Sequence, residues 1–477
     1  MKNKEQMHPP FLKLVAADIV QRFGRDLGNI AIVFNNQRPV HYLKKHLAEL
    51  QGQAFWSPQF FTIQEFVRQS TNRKELNRTA QIFLLNKLYT ALQREQNPAF
   101  EDSLDQFFPI GEIILDDFAQ LDYELVDVGM IFREMEEIAL LDRQFDFLTE
   151  EQQQFLMRFW SAFSKDRHSE LQARFLQLWK LLPRLYQSFR AALQEGQLHT
   201  MAGIYRDLAA GNPDSRDLVA DYQQVLFVGF NALNAAESKL FRRWQEQGKA
   251  LFYFDADQYY FEDPLMEAGH FIRQNLGNHG LINALGEFPS NIPARVSKQQ
   301  PGLAAPSNSQ LIEIIPAPGR TAQTKVLAHL LEKSPHSKGS TAIILADESL
   351  LIPILQSIPE SLTDQLNITM GYPFRETLTY NMMDLVLSAQ QFFTTGASQN
   401  GALLSHNLLV EFMGHPYVAL PAKIRMALLS ELTERKSANL SLQWISSKLP
   451  GLIDQFPAFF RKVSNVGSLM DQLQLLL

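Results

Sequence analysis

Three places in this 477-residue chain decide whether it could handle phosphate or metal. The first is Val228-Gly229, at the end of the apolar run VLFVGF (225–230). A nucleotide-driven motor places an Asp-Glu pair at the carboxyl end of such a strand, to hold Mg²⁺ and orient a water. Here that slot contains no acid. The second is PGRTAQTK (318–325), which has a glycine, a threonine and a lysine. It lacks the second glycine of a P-loop, whose backbone N–H groups cradle phosphates. It reads as a helix start at Arg320-Thr321, with a phosphate site as the alternative. The pattern G-x-x-x-x-G-K-[ST] does not occur, and GRDLGN (24–29) precedes a strand where a P-loop must follow one. The third is the turn Asn35-Asn36-Gln37-Arg38, where amides and a guanidinium at a helix start suit a phosphate; a plain polar turn explains them too. Neither ATP nor Mg²⁺ is expected as a cofactor.

Other groups carry weaker chemistry. Asp255 and Asp257 end the run ALFYFDADQYY (250–260), and read as solvated loop acids or as part of a cation site. Tyr259 and Tyr260 either pack or offer base-stacking faces. Asp116-Asp117 lie in an acid-rich helical segment and read as surface charge. Lys44 and Lys45 extend a basic helix face or are simply solvated. No H-E-x-x-H occurs among the eleven histidines, and with no cysteine the chain has no disulfide or thiolate chemistry.

Net charge is −7, but it is unevenly spread. Residues 101–151 hold sixteen Asp/Glu and two Arg, a net of −14, and the rest of the chain is +7. A phosphate-binding surface is therefore expected outside that block. The block reads as a solvated helical face, or as a docking face. No apolar run approaches the ~18 residues of a membrane span and MKNKEQMHPP lacks a signal-peptide core, so a cytoplasmic protein with no membrane partner is expected.

These residues need elements to hold them. IAIVF (30–34), QFF (59–61), VLFVGF (225–230) and ALFYF (250–254) are strand-like, buried runs. Pro39 suits a first helical turn, and Val40, Leu43, Leu47 and Leu50 follow at helical spacing. Thr62-Ile63-Gln64-Glu65, Thr149-Glu150-Glu151-Gln152 and Asn234-Ala235-Ala236-Glu237 have the form of helix caps. Between about 77 and 205 the periodicity is helical, with an apolar stripe through Leu171, Phe175, Leu178, Trp179, Leu182, Tyr186 and Phe189 and a possible kink at Pro183. The order strand, helix, strand, helical insertion, strand, helix, strand predicts a parallel α/β sheet with a helical domain inserted in it. The expected domains are 1–85 with 206–288 for the first α/β domain, 86–205 for the insertion, and 289–310 for a Pro/Ser-rich linker. A second α/β domain opens at 311–384, with strands at LIEIIPA (311–317), TAIILA (341–346) and LNITMGYPFRET (366–377), and a helical region fills 385–477. The apolar stop LQLLL suggests the front part of a longer protein.

In order and spacing these segments resemble the AddB-like, RecC-like inactivated superfamily-1 helicases, in particular predicted PD-(D/E)XK nuclease family proteins of Bacteroidetes-type bacteria. IAIVFNNQRPVHYLKKHLAEL and FFTIQEFV resemble the helicase strands after the P-loop unit. VLFVGFNALNAAESKLFRRW looks like the acidic-pair strand with its acids lost, and IEIIPAPGRTAQTKVLAHLL like the opening of the second motor domain. The likeness covers most of 10–390. It implies two RecA-like domains in superfamily-1 architecture, and a DNA-binding, ATPase-deficient scaffold in double-strand break processing and recombinational repair. It implies DNA and an AddA/RecB-like motor subunit as partners, with a C-terminal nuclease domain beyond Leu477. It places Asn35, Asn36 and Arg38 in the turn that contacts single-stranded DNA, Thr62 at a backbone contact, and Arg320 on the second domain. AddB itself often keeps an N-terminal P-loop, from which this chain departs. An active helicase with a degenerate P-loop, and a protein-interaction scaffold without DNA contact, are the alternatives.

Overall fold

The computed structural model describes residues 9–101, 103–128, 170–212, 215–290, 314–333, 341–395, 403–435 and 437–474, with the side chains of 170–177 outside that set. They form two compact units, Met1–Gln310 and Leu311–Leu477, divided where the Pro/Ser-rich segment ends.

The first unit is α/β, with a parallel sheet compatible with a RecA-like domain. Its strands are β1 (Ile30–Phe34), β2 (Gln59–Thr62), β5 (Gln224–Val228) and β6 (Ala250–Tyr253), in the order β2-β1-β5-β6. Helix α1 (Phe11–Phe23) precedes β1, and α2 (Arg38–Gln51) joins β1 to β2. After β2 come α3 (Ile63–Arg68), β3 (Lys74–Glu75), α4 (Arg78–Gln96), α5 (Leu104–Tyr123), α6 (Glu170–Glu195), β4 (Leu198–His199) and α7 (Met201–Ala210). Helix α8 (Ala235–Glu246) then joins β5 to β6, followed by α9 (Gln258–Glu262) and α10 (His270–Gly277).

Both faces of the sheet are covered, which is why its central strands read as unbroken apolar runs and do not alternate. Ile30, Ile32, Phe34, Leu226 and Val228 face the α1–α2 side, packing on Val15, Ile19, Leu43 and Leu47. Ala31, Val33, Val225 and Phe227 face the other way, onto Phe66, Leu208, Leu240 and Trp244. There Phe227 stacks between Trp244 at 5.6 Å and Phe252 at 5.3 Å. On the outer strand β2, the Lys44 ammonium sits 4.8 Å from the Phe60 ring centre.

The insertion has its own core. Leu85, Phe107, Ile114, Phe118, Leu182, Leu185, Tyr186 and Phe189 pack α4, α5 and α6 together, and α6 runs on through Pro183. The short β3–β4 pair closes its root, a strand signal too brief for periodicity to reveal. The cap expected at Thr149 lies outside the described residues.

In the second unit the expected strands do not form among the described residues. Residues 314–317 and 341–346 lie in neither helix nor strand, and 366–377 holds only a short turn of 3₁₀ helix at Phe374–Glu376. A parallel strand needs neighbouring ladders and covered faces. Ile314 and Ile344 are 88% and 90% exposed, so neither reaches them. Helix α11 (Arg320–Lys333) and α12 (Leu351–Ser357) do form, with Ile358 just past the end of α12 and Asp347 capping the turn before it. Helix α13 (Glu360–Thr363) is a single turn, and α14 (Leu378–Thr394) opens the helical region. That region also contains an antiparallel strand pair, Leu403–Ser405 with Asn439–Ser441, around a core that includes Met382, Phe393, Phe412 and Phe459. No described helix is long and apolar enough to cross a membrane.

Candidate nucleic-acid interface at the sheet switch point

From β1 the chain steps outward to β2; from β5 it steps the opposite way, to β6. Two right-handed crossovers in opposite directions put α2 and α8 on opposite faces, as observed. The carboxyl ends of β1 and β5 therefore flank the topological switch point, where open α/β sheets bind ligands.

Most of the sequence-selected residues converge there. Phe34 pairs with Thr62 across β1 and β2, and Val33 with Phe227 across β1 and β5. The ends Phe34-Asn35, Thr62 and Val228-Gly229 thus lie side by side. Asn35, Asn36 and Arg38 are exposed. The Asn36 side chain accepts from the Arg38 N–H at 3.1 Å, and Gln37, the residue before α2, makes no side-chain cap. Thr62 caps α3: its hydroxyl accepts from the Glu65 N–H at 3.2 Å, and the Glu65 carboxylate accepts from the Thr62 N–H at 2.8 Å. Gln37 also donates to Glu65, at 2.7 Å, tying the β1–α2 turn to the start of α3. These donors, the Thr62 backbone foremost, hold the Glu65 carboxyl below its usual range.

Val228 is buried, and Gly229 adopts φ +74°, donating to the Tyr253 carbonyl at 2.9 Å. The positive φ fits glycine because other L-residues pay a steric penalty there. Arg320 belongs to the second unit, where it opens α11 and lies 3.2 Å from Asp347.

The remaining candidates have local partners. Asp257 caps α9 by accepting from the Tyr259 N–H at 3.0 Å, while desolvation raises the Asp255 carboxyl. Tyr259 and Tyr260 meet edge to face at 5.3 Å. Asp116 pairs with Arg78 at 2.6 Å. Among the described residues no group of three or more His, Asp or Glu could hold a metal ion.

Two polar clusters escape sequence reasoning because their members lie far apart in the chain. Asp122 of α5 is buried against the Tyr186 hydroxyl, Arg206 at 2.7 Å and Arg190 at 3.7 Å, and Arg190 also meets Asp207 at 2.6 Å. Arg206 further donates to the Leu121 and Val126 carbonyls. Close by, Glu124 accepts from the Ala235 N–H at 3.3 Å, at the start of α8. Glu237, whose capping role the sequence does reveal, is half-buried there. Burial, with Glu124 nearby, pushes its carboxyl up to about 7 against the hydrogen bonds from Asn234 and Tyr205. That places its titration in the physiological range, on the helix that follows the acid-free slot.

Charge also favours the N-terminal part of the chain, which carries β1, β2 and the turn after β1, for an anion. Residues 1–100 carry fourteen Lys/Arg against seven Asp/Glu. Comparison with models of protein families and with curated proteins gave no match.

Proposed function

We propose that the chain is the helicase-shaped, ATPase-deficient part of an AddB-type helicase–nuclease subunit, holding DNA ends during break processing. In this reading it contains two RecA-like domains of superfamily-1 type, the second built around α11 and the strand-like sequences beside it. An AddA/RecB-like subunit supplies the motor. The observation that carries the DNA-binding part is the convergence of Asn35, Asn36, Thr62 and Gly229 at the switch point of a parallel sheet. The exposed Asn35 and Asn36 amides, just before α2, offer donors to a phosphate backbone. Val228-Gly229 offers no side-chain carboxylate to a nucleotide-bound cation at that strand end, so the same crevice is suited to holding DNA and not to turning over ATP.

Fluorescence anisotropy with forked DNA tests the binding. Three phosphate contacts on a single strand would weaken affinity about 20-fold between 50 and 200 mM salt. Replacing Asn35, Asn36 and Arg38 by Ala together should weaken binding about tenfold at fixed salt. Absence of binding at 50 mM salt would refute DNA contact and favour a protein scaffold. Robust ATP hydrolysis stimulated by single-stranded DNA would refute the ATPase-deficient assignment.

A further inference from the structure

Helix α5 buries Phe107, Gly111, Ile114, Leu115, Phe118 and Leu121 on one face. Its outer face is not uniformly polar. Ile110 and Ile113, one turn apart, are 46% and 62% exposed. Around them stand Asp105, Glu112, Asp116 and Asp117. Asp116 is paired with Arg78, but Asp105, Glu112 and Asp117 form no ion pair among the described residues. The sequence sharpens this imbalance: residues 97–132 contain nine Asp/Glu and no Lys or Arg. Desolvation, then the neighbouring Asp116, raises the Asp117 carboxyl, so the face holds a carboxylate that lacks a counter-charge.

An apolar pair rimmed by carboxylates, three of them in no ion pair among the described residues, is complementary to a particular kind of surface. Nucleic acid is repelled by the same charge. We infer that the outer face of α5 docks an amphipathic helix of a partner protein, whose apolar residues cover Ile110 and Ile113 and whose Lys/Arg side chains meet Glu112 and Asp117. The i, i+3 spacing of the isoleucines matches the ridge that one helix presents to another. This surface shares no residue with the switch-point crevice, so the two can be altered one at a time.

The probe is a fluorescein-labelled 18-residue peptide with Leu at helical spacing and Lys elsewhere, titrated against the full chain. Two controls accompany it: a scrambled peptide of equal composition, and an analogue with Glu in place of Lys. Ile113→Asp adds negative charge, so pure charge attraction would strengthen binding. Docking instead predicts at least a tenfold loss, with DNA affinity unchanged. Asp117→Lys should weaken the Lys peptide at least threefold and improve binding of the Glu analogue, a gain that misfolding cannot produce. Equal binding of the scrambled peptide, or no change for either variant, would overturn the inference.

Discussion

Glu237 allows a quantitative test of the junction between the helical insertion and the sheet domain. Its carboxyl is pushed up to about 7 by burial, with Glu124 adding repulsion, while in an unfolded chain it would ionise near 4.5. Between those values the folded protein holds a proton that the unfolded chain has lost. Stability from this group is therefore fully present below about pH 4.5 and disappears as pH rises through about 7. Each pKa unit corresponds to about 1.4 kcal/mol, so the total swing is on the order of 3 kcal/mol. Glu237→Gln keeps the shape and an amide oxygen for the Asn234 N–H, but removes the titration. Urea unfolding of both proteins from pH 4.5 to 8.5 isolates the group, because other titrations cancel in the difference. The variant should gain stability relative to wild type with rising pH, most steeply between about pH 5 and 6.5, reaching about 3 kcal/mol. A difference independent of pH would refute the burial argument.

Three further outcomes follow from the geometry. Asp122→Asn removes the buried carboxylate between Arg190 and Arg206, leaving Arg190 with Asp207 alone and Arg206 without an ion pair among the described residues, and denaturant unfolding should show a loss of about 3–5 kcal/mol. Gly229→Ala should lower stability by about 1–2 kcal/mol through its positive φ; the nearest atom, Phe11 Cε1, would lie 3.9 Å from the new Cβ, so a steric clash would not be the cause. Thr62→Ala removes the α3 cap and should reduce stability by about 1 kcal/mol in thermal unfolding; a loss of DNA affinity at a temperature where the variant remains folded would show a second role for the hydroxyl.

How much the sequence reveals depends on how local the determining physics is. Capping boxes at Thr62 and Asn234 are legible because four consecutive residues suffice to make them, and both form. The four-strand sheet is legible because branched and aromatic runs such as IAIVF and VLFVGF suit few environments other than a doubly covered strand. TAIILA has the same composition yet remains outside any strand, since a strand also requires neighbours that its own residues do not specify. Convergence of Asn35, Thr62 and Gly229 follows from strand order, which hydrophobic pattern alone leaves open. The Asp122 cluster draws on α5, α6 and α7, and nothing in the spacing of its members announces that they meet.

Strand β2 is the outer member of the sheet, only four residues long, with its Phe60 ring beneath the Lys44 ammonium. Open β-edges invite other chains to pair, and a short strand guarded by lysine discourages them. Neutralising Lys44 would thus endanger colloidal behaviour more than fold: a Leu at that position would extend the apolar rim beside an unpaired backbone. A lysine at this edge is thus accounted for by the sheet itself, without any ligand.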